Sequence, residues 1–238
     1  MADWTMKRFW KVAEAVEVEG GFSVHLDGRS IKTPGKSALV VPTQVMAERM
    51  ALEWDAQEKV VNPNTMPVTK SANSAVDKVT AQFDAVADML GEYAGTDLLC
   101  YRADRPVALS ARQAEHWDPL LSWCAQRFAA PLTPVSGVMF AAQPESSLVT
   151  LRALLDDMSA FELTAMHDLI TLPGSFVIGL AAMHEYARPE ELWELSRLDE
   201  RYQQEQWGLD DDAEEMARIK LEAFKHAHDF YKMSKQHR

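Results

Sequence analysis

Residues 20–34 read GGFSVHLDGRSIKTP, and this stretch decides between a wholly helical chain and one that contains a sheet. Phe22, Val24 and Leu26 alternate with Ser23 and His25, the two-residue period of a half-buried strand. Asp27-Gly28 is a type I′ hairpin pair, and Ile31 to Thr33 resume the strand pattern. Strand signals begin near Trp4. The valine-rich run 12–18 then meets Gly20-Gly21, a second hairpin signal, and Pro34-Gly35 turns the chain again before 38–41. Three or four short antiparallel strands follow, too few to be stable without cover.

The cover comes next. Thr43, after Pro42, is placed to cap a helix in which Met46, Met50 and Trp54 stack beside Ala47 and Ala51. An extended connector with Asn62-Pro63 and Met66-Pro67 leads to a second helix, whose apolar stripe is Ala72, Val76, Val79, Phe83, Val86 and Leu90. Beyond Gly95 strand signals fade. The run 96–102 reads as a returning strand or a hinge, and 110–128 as a helix kinked or broken at Pro119. Leu148, Leu151, Leu155 and Met158 mark another helix, and Ser159 to Glu162 form a capping box. FVIGLAAM (176–183) is apolar on every side, hence a buried central helix. The expected fold class is α+β: an N-terminal domain, 1–95, with a small antiparallel sheet covered by helices, then an all-α domain, 96–238.

Composition narrows the function. The chain has 238 residues, 47% of them apolar, with net charge −12, which disfavours nucleic acid and anionic membranes as partners. No apolar run approaches the roughly 18–20 residues that span a bilayer, so no membrane insertion is expected. The opening MADWTMKRFW has neither a signal core nor an Arg- and Ser-rich transit pattern, so the expectation is a bacterial cytoplasmic protein or a processed mitochondrial matrix chain. Cys100 and Cys124 lie among apolar neighbours and read as buried thiols.

Motifs for chemistry are scarce. Thr33 to Ser37 ends like a phosphate-binding loop, but position 30 is Ser where the motif needs Gly, and strands flank it on both sides. His226 and His228 are two apart and point away from each other on a helix, so no metal and no cofactor are expected. The cluster Asp210, Asp211, Asp212, Glu214 and Glu215 lacks calcium-loop spacing. The one stretch hard to explain as scaffold is LDERYQQEQWG (198–208), inside a helix that Pro189-Glu190-Glu191 opens and Gly208 ends. Leu195, Leu198 and Tyr202 share an inward side. Trp193, Arg197, Glu200, Gln204 and Trp207 form a second stripe, which another layer of the domain or a partner must cover. Glu200 reads either as an ion pair with Arg197 or Arg201 or as a partner contact. Trp54 reads either as core, its indole N–H on a local acceptor, or as part of a binding surface.

Five phrases in order, GGFSVHLDGRSIKTP, LEWDAQ (52–57), TDLLCYR (96–102), HWDPLLSW (116–123) and LDERYQQEQWG, resemble the assembly chaperones of the F-type ATP synthase catalytic head. The branch is the one that holds the alpha subunit in mitochondria and alpha-proteobacteria. The resemblance implies a non-enzymatic, monomeric protein that shields the unassembled alpha subunit and yields it to the beta subunit. The family's E-x-Y-Q-x-x-x-W-G phrase matches Glu200, Tyr202, Gln203, Trp207 and Gly208, and the tryptophan of its E-W-D phrase matches Trp54. With Trp193 these are the expected partner-binding residues. Mitochondrial members continue toward a His-Asp pair, where this chain reads LDDDAEE (209–215). The alternative is a small-molecule hydrolase with its cleft between the two domains.

Overall fold

The computed structural model describes residues 6–235, and the quoted stretch folds into the centre of a three-stranded antiparallel sheet. Trp4, where strand signals begin, lies outside the described residues. Strand β1 (Ala13–Val18) pairs with β2 (Gly21–Leu26), with Val18 opposite Gly21 and Ala13 opposite Leu26. Strand β3 (Arg29–Ser30) returns beside β2. Asp27 and Gly28 have φ of 48° and 78°, both positive as a type I′ turn requires. The Asp27 carboxylate accepts from the Val12 and Lys11 backbone N–H groups, which hold its pKa below the usual value. The expected fourth strand, 38–41, is reduced to two isolated bridges, Lys32 to Ala38 and Phe22 to Val41, the second closed by hydrogen bonds of 2.9 and 2.7 Å. Gly21 permits the second, because a Cβ there would run into the Val41 carbonyl oxygen. Ser23 breaks the simple alternation: it is buried, and its Oγ donates to the Leu39 carbonyl at 2.8 Å.

Helix α1 (Gln44–Asp55) packs on β1 and β2, capped by Thr43 Oγ1, which accepts from Met46 N. Met46, Ala47, Met50, Ala51 and Trp54 are its buried side. Trp54 is 9% exposed and sits edge-on to Trp10 at 5.3 Å, so it belongs to the core; its indole N–H finds no acceptor among the described residues. Glu53, beside it, is buried and reaches the first turn of α2 (Pro67–Ser74). Its carboxylate accepts from Val68 N at 2.7 Å and from Thr69 N and Oγ1 at 2.8 Å. Burial pushes the Glu53 pKa up, and those hydrogen bonds oppose the shift.

The second helix is not the continuous stripe its apolar spacing predicts. After α2 come a π turn (Ala75–Val79) and a 3₁₀ turn (Thr80–Gln82), before α3 (Phe83–Gly95). These turns change the phase, so Ala87, Leu90 and Ala94 are buried in α3 while Phe83 and Val86 are half-exposed. The 96–102 segment is a 3₁₀ turn (Leu98–Cys100) and a short strand β4 (Tyr101–Arg102) that pairs in parallel with β5 (Val135–Ser136), so the helical part is not purely α. Helix α4 (Val107–Phe128) runs unbroken through Pro119, and α5 (Glu145–Ala153) and α6 (Ala160–Thr171) follow. The predicted capping box holds α6, with Ser159 N donating to Glu162 at 2.8 Å and Glu162 N to Ser159 Oγ at 3.2 Å.

Helix α7 (Phe176–Met183) is buried from Phe176 to Ala182. Its first turn and the 3₁₀ turn share one cap, the fully buried Asp97. That carboxylate accepts from Val177 N, Leu99 N and Ser175 Oγ at 3.0, 3.0 and 2.8 Å, and burial pushes its pKa up to about 6. Helices α8 (Pro189–Ser196), α9 (Leu198–Trp207) and α10 (Asp211–Ser234) complete the chain. By contact the protein divides into two compact units, neither continuous in sequence. One takes residues up to 83 with 159–165 and those from 229 on, and the other takes 84–158 and 166–228. The first change of unit falls at the start of α3, between residues 83 and 84. Cys100 and Cys124 are free and buried.

Candidate functional site

The helix expected to run from Pro189 to Trp207 is two helices. Arg197, at φ −107° and ψ 16°, separates α8 from α9. The break takes Trp193 off the stripe that sequence spacing draws for it. Trp193 is 3% exposed and lies against Phe224 with ring centroids 5.9 Å apart, so it is a core residue. On this geometry the two tryptophans do not flank Glu200 on one surface.

Helix α9 is clamped on two sides. Toward α4, Gln113 Nε2 donates to Asp199 at 2.7 Å, Arg112 pairs with Glu205 at 2.7 Å, and the Arg112 guanidinium lies 5.2 Å from the Tyr202 ring centroid. Just before α9, Trp117 Nε1 donates to the Leu195 carbonyl at 2.8 Å. Toward α8 and α10, Arg201 forks onto Glu194 at 2.8 and 3.0 Å and reaches Glu214 at 3.0 Å. Arg197 and Gln204 close on the same Glu214 at 3.0 and 2.7 Å. The hydrogen bonds from Gln204 and Arg201 hold the Glu214 pKa at about 2, and those that Arg201 donates to Glu194 and Glu214 raise its own. Leu198 fills the core between these contacts.

What remains faces out. Glu200, Gln203 and Trp207 recur at i, i+3 and i+7, all exposed, and Trp207 is 81% exposed. Both arginines expected to pair with Glu200 are taken by Glu194 and Glu214, and Glu200 has no ion pair among the described residues. Gly208 ends the helix at φ 94°, a conformation that strains any other residue, and Leu209 after it is exposed. The structure therefore brings Glu200, Gln203, Trp207 and Gly208 together on one outward edge. Tyr202 is turned toward α4, and Trp193 and Trp54 are core.

A cleft of about 400 Å³ lies among α8, α9 and α10, lined by Trp193, Arg197, Arg201, Glu214, Arg218 and Leu221, among others. Its guanidinium groups are all committed to carboxylates, and no group of His, Cys, Asp and Glu able to hold a metal occurs among the described residues. The arrangement is a rigid mount for one helix edge. The sequence reading missed its fixing residues, Arg112, Gln113 and Glu214. Their one visible signal is that Gln113 and Trp117 lie four apart on a helix, which puts a polar side chain on an inward stripe.

Known proteins place the chain. The family model described as ATP12 chaperone protein matches residues 7–125, half of the length. The mitochondrial protein atp12 of Schizosaccharomyces pombe is 25% identical over 226 residues, 89% of this chain and 77% of that protein. The crystal structure of Atp12 from Paracoccus denitrificans is 47% identical, superposes with a TM-score of 0.94, and covers 96% of this chain and 98% of that one. A candidate chaperone from Agrobacterium tumefaciens is 37% identical at a TM-score of 0.92, over 97% and 87% of the two chains. The family and the Agrobacterium tumefaciens protein are described as chaperones and not as enzymes. On this family match and this near-complete structural agreement, the chain belongs to the ATP12 chaperone protein family.

Proposed function

We propose that this protein holds the unassembled alpha subunit of the F-type ATP synthase catalytic head, keeps it from aggregating and releases it to the beta subunit. The observation that carries the reading is the outward edge of α9, with an exposed Trp207 two turns along from Glu200, which has no ion pair among the described residues, on a helix whose other sides are clamped. An exposed indole on the same helix edge as such a carboxylate suits an apolar protein surface that also bears arginine or lysine. Rigid mounting lowers the ordering cost of binding. Release needs no nucleotide if the arriving subunit competes for the same surface by mass action.

In this reading the protein acts as a monomer in the bacterial cytoplasm, or in the mitochondrial matrix if it is a processed eukaryotic chain. No nucleic acid takes part, in keeping with the net charge of −12. No helix of the described residues is long and apolar enough to cross a membrane. The test is Glu200→Lys, with thermal midpoint and capture of purified alpha subunit measured on the same preparation. The expected result is an unchanged midpoint with capture weakened about tenfold or more, as for loss of one interface hot spot. A folded variant that captures normally overturns the site.

A further inference from the structure

Between β5 and α5 the chain reads GVMFAAQP (137–144), eight residues without a charge in a protein of net charge −12. Val138, Met139 and Phe140 at its tip are 94%, 81% and 70% exposed. The base of this loop is tied down. Gly137 N donates to the Arg102 carbonyl at 2.8 Å, continuing the β4–β5 pairing. Gln143 is buried and clasps the Thr133 backbone both ways, accepting from its N–H at 2.7 Å and donating to its carbonyl at 3.0 Å. Gly137 has φ 86°, and a Cβ there would stand 3.0 Å from an Asp104 carboxylate oxygen. The fold thus fixes the two ends of a loop whose three large apolar side chains cover nothing of its own.

We propose that residues 138–140 are a second contact for the polypeptide client, entering an apolar, uncharged groove on it. The inference rests on the client-holding reading above. Charge selects the occupant: the α9 edge offers a carboxylate to a basic surface, whereas this tip offers none. It also lacks the lysine, arginine, tryptophan or tyrosine by which segments dock at a lipid surface. Three side chains on one tip cover only a fraction of the about 800 Å² per partner that a stable dimer buries, so a second copy of this chain is a poor match.

The test uses the full-length double variant Met139→Ser/Phe140→Ser beside Glu200→Lys and the unaltered protein. Each is measured for thermal midpoint, sedimentation, affinity for purified alpha subunit, and binding to vesicles of equal phosphatidylserine and phosphatidylcholine. The expected result is an unchanged midpoint and affinity for the alpha subunit about tenfold weaker in the loop variant. Normal affinity in the loop variant, with Glu200→Lys impaired, overturns the loop and leaves the holding role standing. Failure of the unaltered protein to bind the alpha subunit sinks the holding role itself. A lowered midpoint, or loss of self-association or vesicle binding in the loop variant, overturns the proposal by giving the tip another occupant.

Discussion

Replacing Glu53 with alanine is expected to destabilise the protein strongly, although the residue sits within a phrase that family resemblance associates with function. The side chain is buried and accepts from the Val68 and Thr69 N–H groups in the first turn of α2, where Met66, which precedes that helix, makes no side-chain cap. Truncation strands the Val68 and Thr69 N–H groups and the Thr69 hydroxyl, three donors that Glu53 satisfies at 2.7–2.8 Å. Losing an N-cap costs about 1 kcal/mol, and each buried unsatisfied donor about 1–3 kcal/mol. Removing a buried carboxylate returns part of its desolvation cost, which has the opposite sign. The balance is about 3 kcal/mol, and for a chain of this size about 6–12 °C in thermal midpoint. Glu53→Gln keeps one acceptor and turns its amide toward a donor, so it should fall between the two. Circular dichroism melts of the three proteins check this. A midpoint for Glu53→Ala within about 2 °C of the parent would refute the capping argument.

Trp207→Ala removes a side chain that touches little of its own protein, so stability should change by no more than about 0.5 kcal/mol while capture of the alpha subunit weakens. Denaturant titration and a binding isotherm on one preparation decide between contact and scaffold. The Asp97 pKa is raised to about 6 from 3.8, so its contribution to stability is complete below about pH 4 and is lost as pH rises through 6. The stability of the parent relative to Asp97→Asn should therefore fall by about 3 kcal/mol between pH 4 and 7.5, which urea titrations would show. Glu214 acts in the opposite direction. Its pKa of about 2 contributes stability above pH 4.5 that is lost as pH falls toward 2, and Arg201→Gln should move that loss to higher pH. Burial pushes Cys100 and Cys124 up to about 12, so neither should react with a thiol reagent at pH 8 until the protein is unfolded.

The parts of the fold legible in the sequence were those set by local chemistry. The Asp27-Gly28 turn, the Thr43 cap, the Ser159 capping box and the all-apolar α7 each follow from a few neighbouring residues and appear where they were expected. Periodicity failed where the helix changes pitch. Nothing in the apolar spacing from Ala72 to Leu90 announces the π turn, and nothing in 189–207 announces the break at Arg197. Each coincides with contacts from elsewhere in the chain: Asp77 of the π turn accepts from Thr33 and Gly35, and Arg197 and Arg201 pair with Glu214 across Gly208. For the same reason Trp193 looked like surface and is core. The outward positions of Glu200 and Trp207 were legible because both lie within the single helix α9, whereas Gln204, expected on the same stripe, turns to Glu214 and Gln203 faces out in its stead.

A helix transmits rotation along its length, so one residue inserted near its start swings every later side chain through about 100°. The non-helical Arg197 interrupts that transmission, and α9 takes its bearing from Gln113, Arg112 and Glu214 instead. The direction of the Trp207 indole is therefore set by contacts across the fold, with the fork of Arg201 onto Glu194 tying α9 back to α8. The joint uncouples the turning of one helix from that of the next, and side chains from elsewhere give the second its aim.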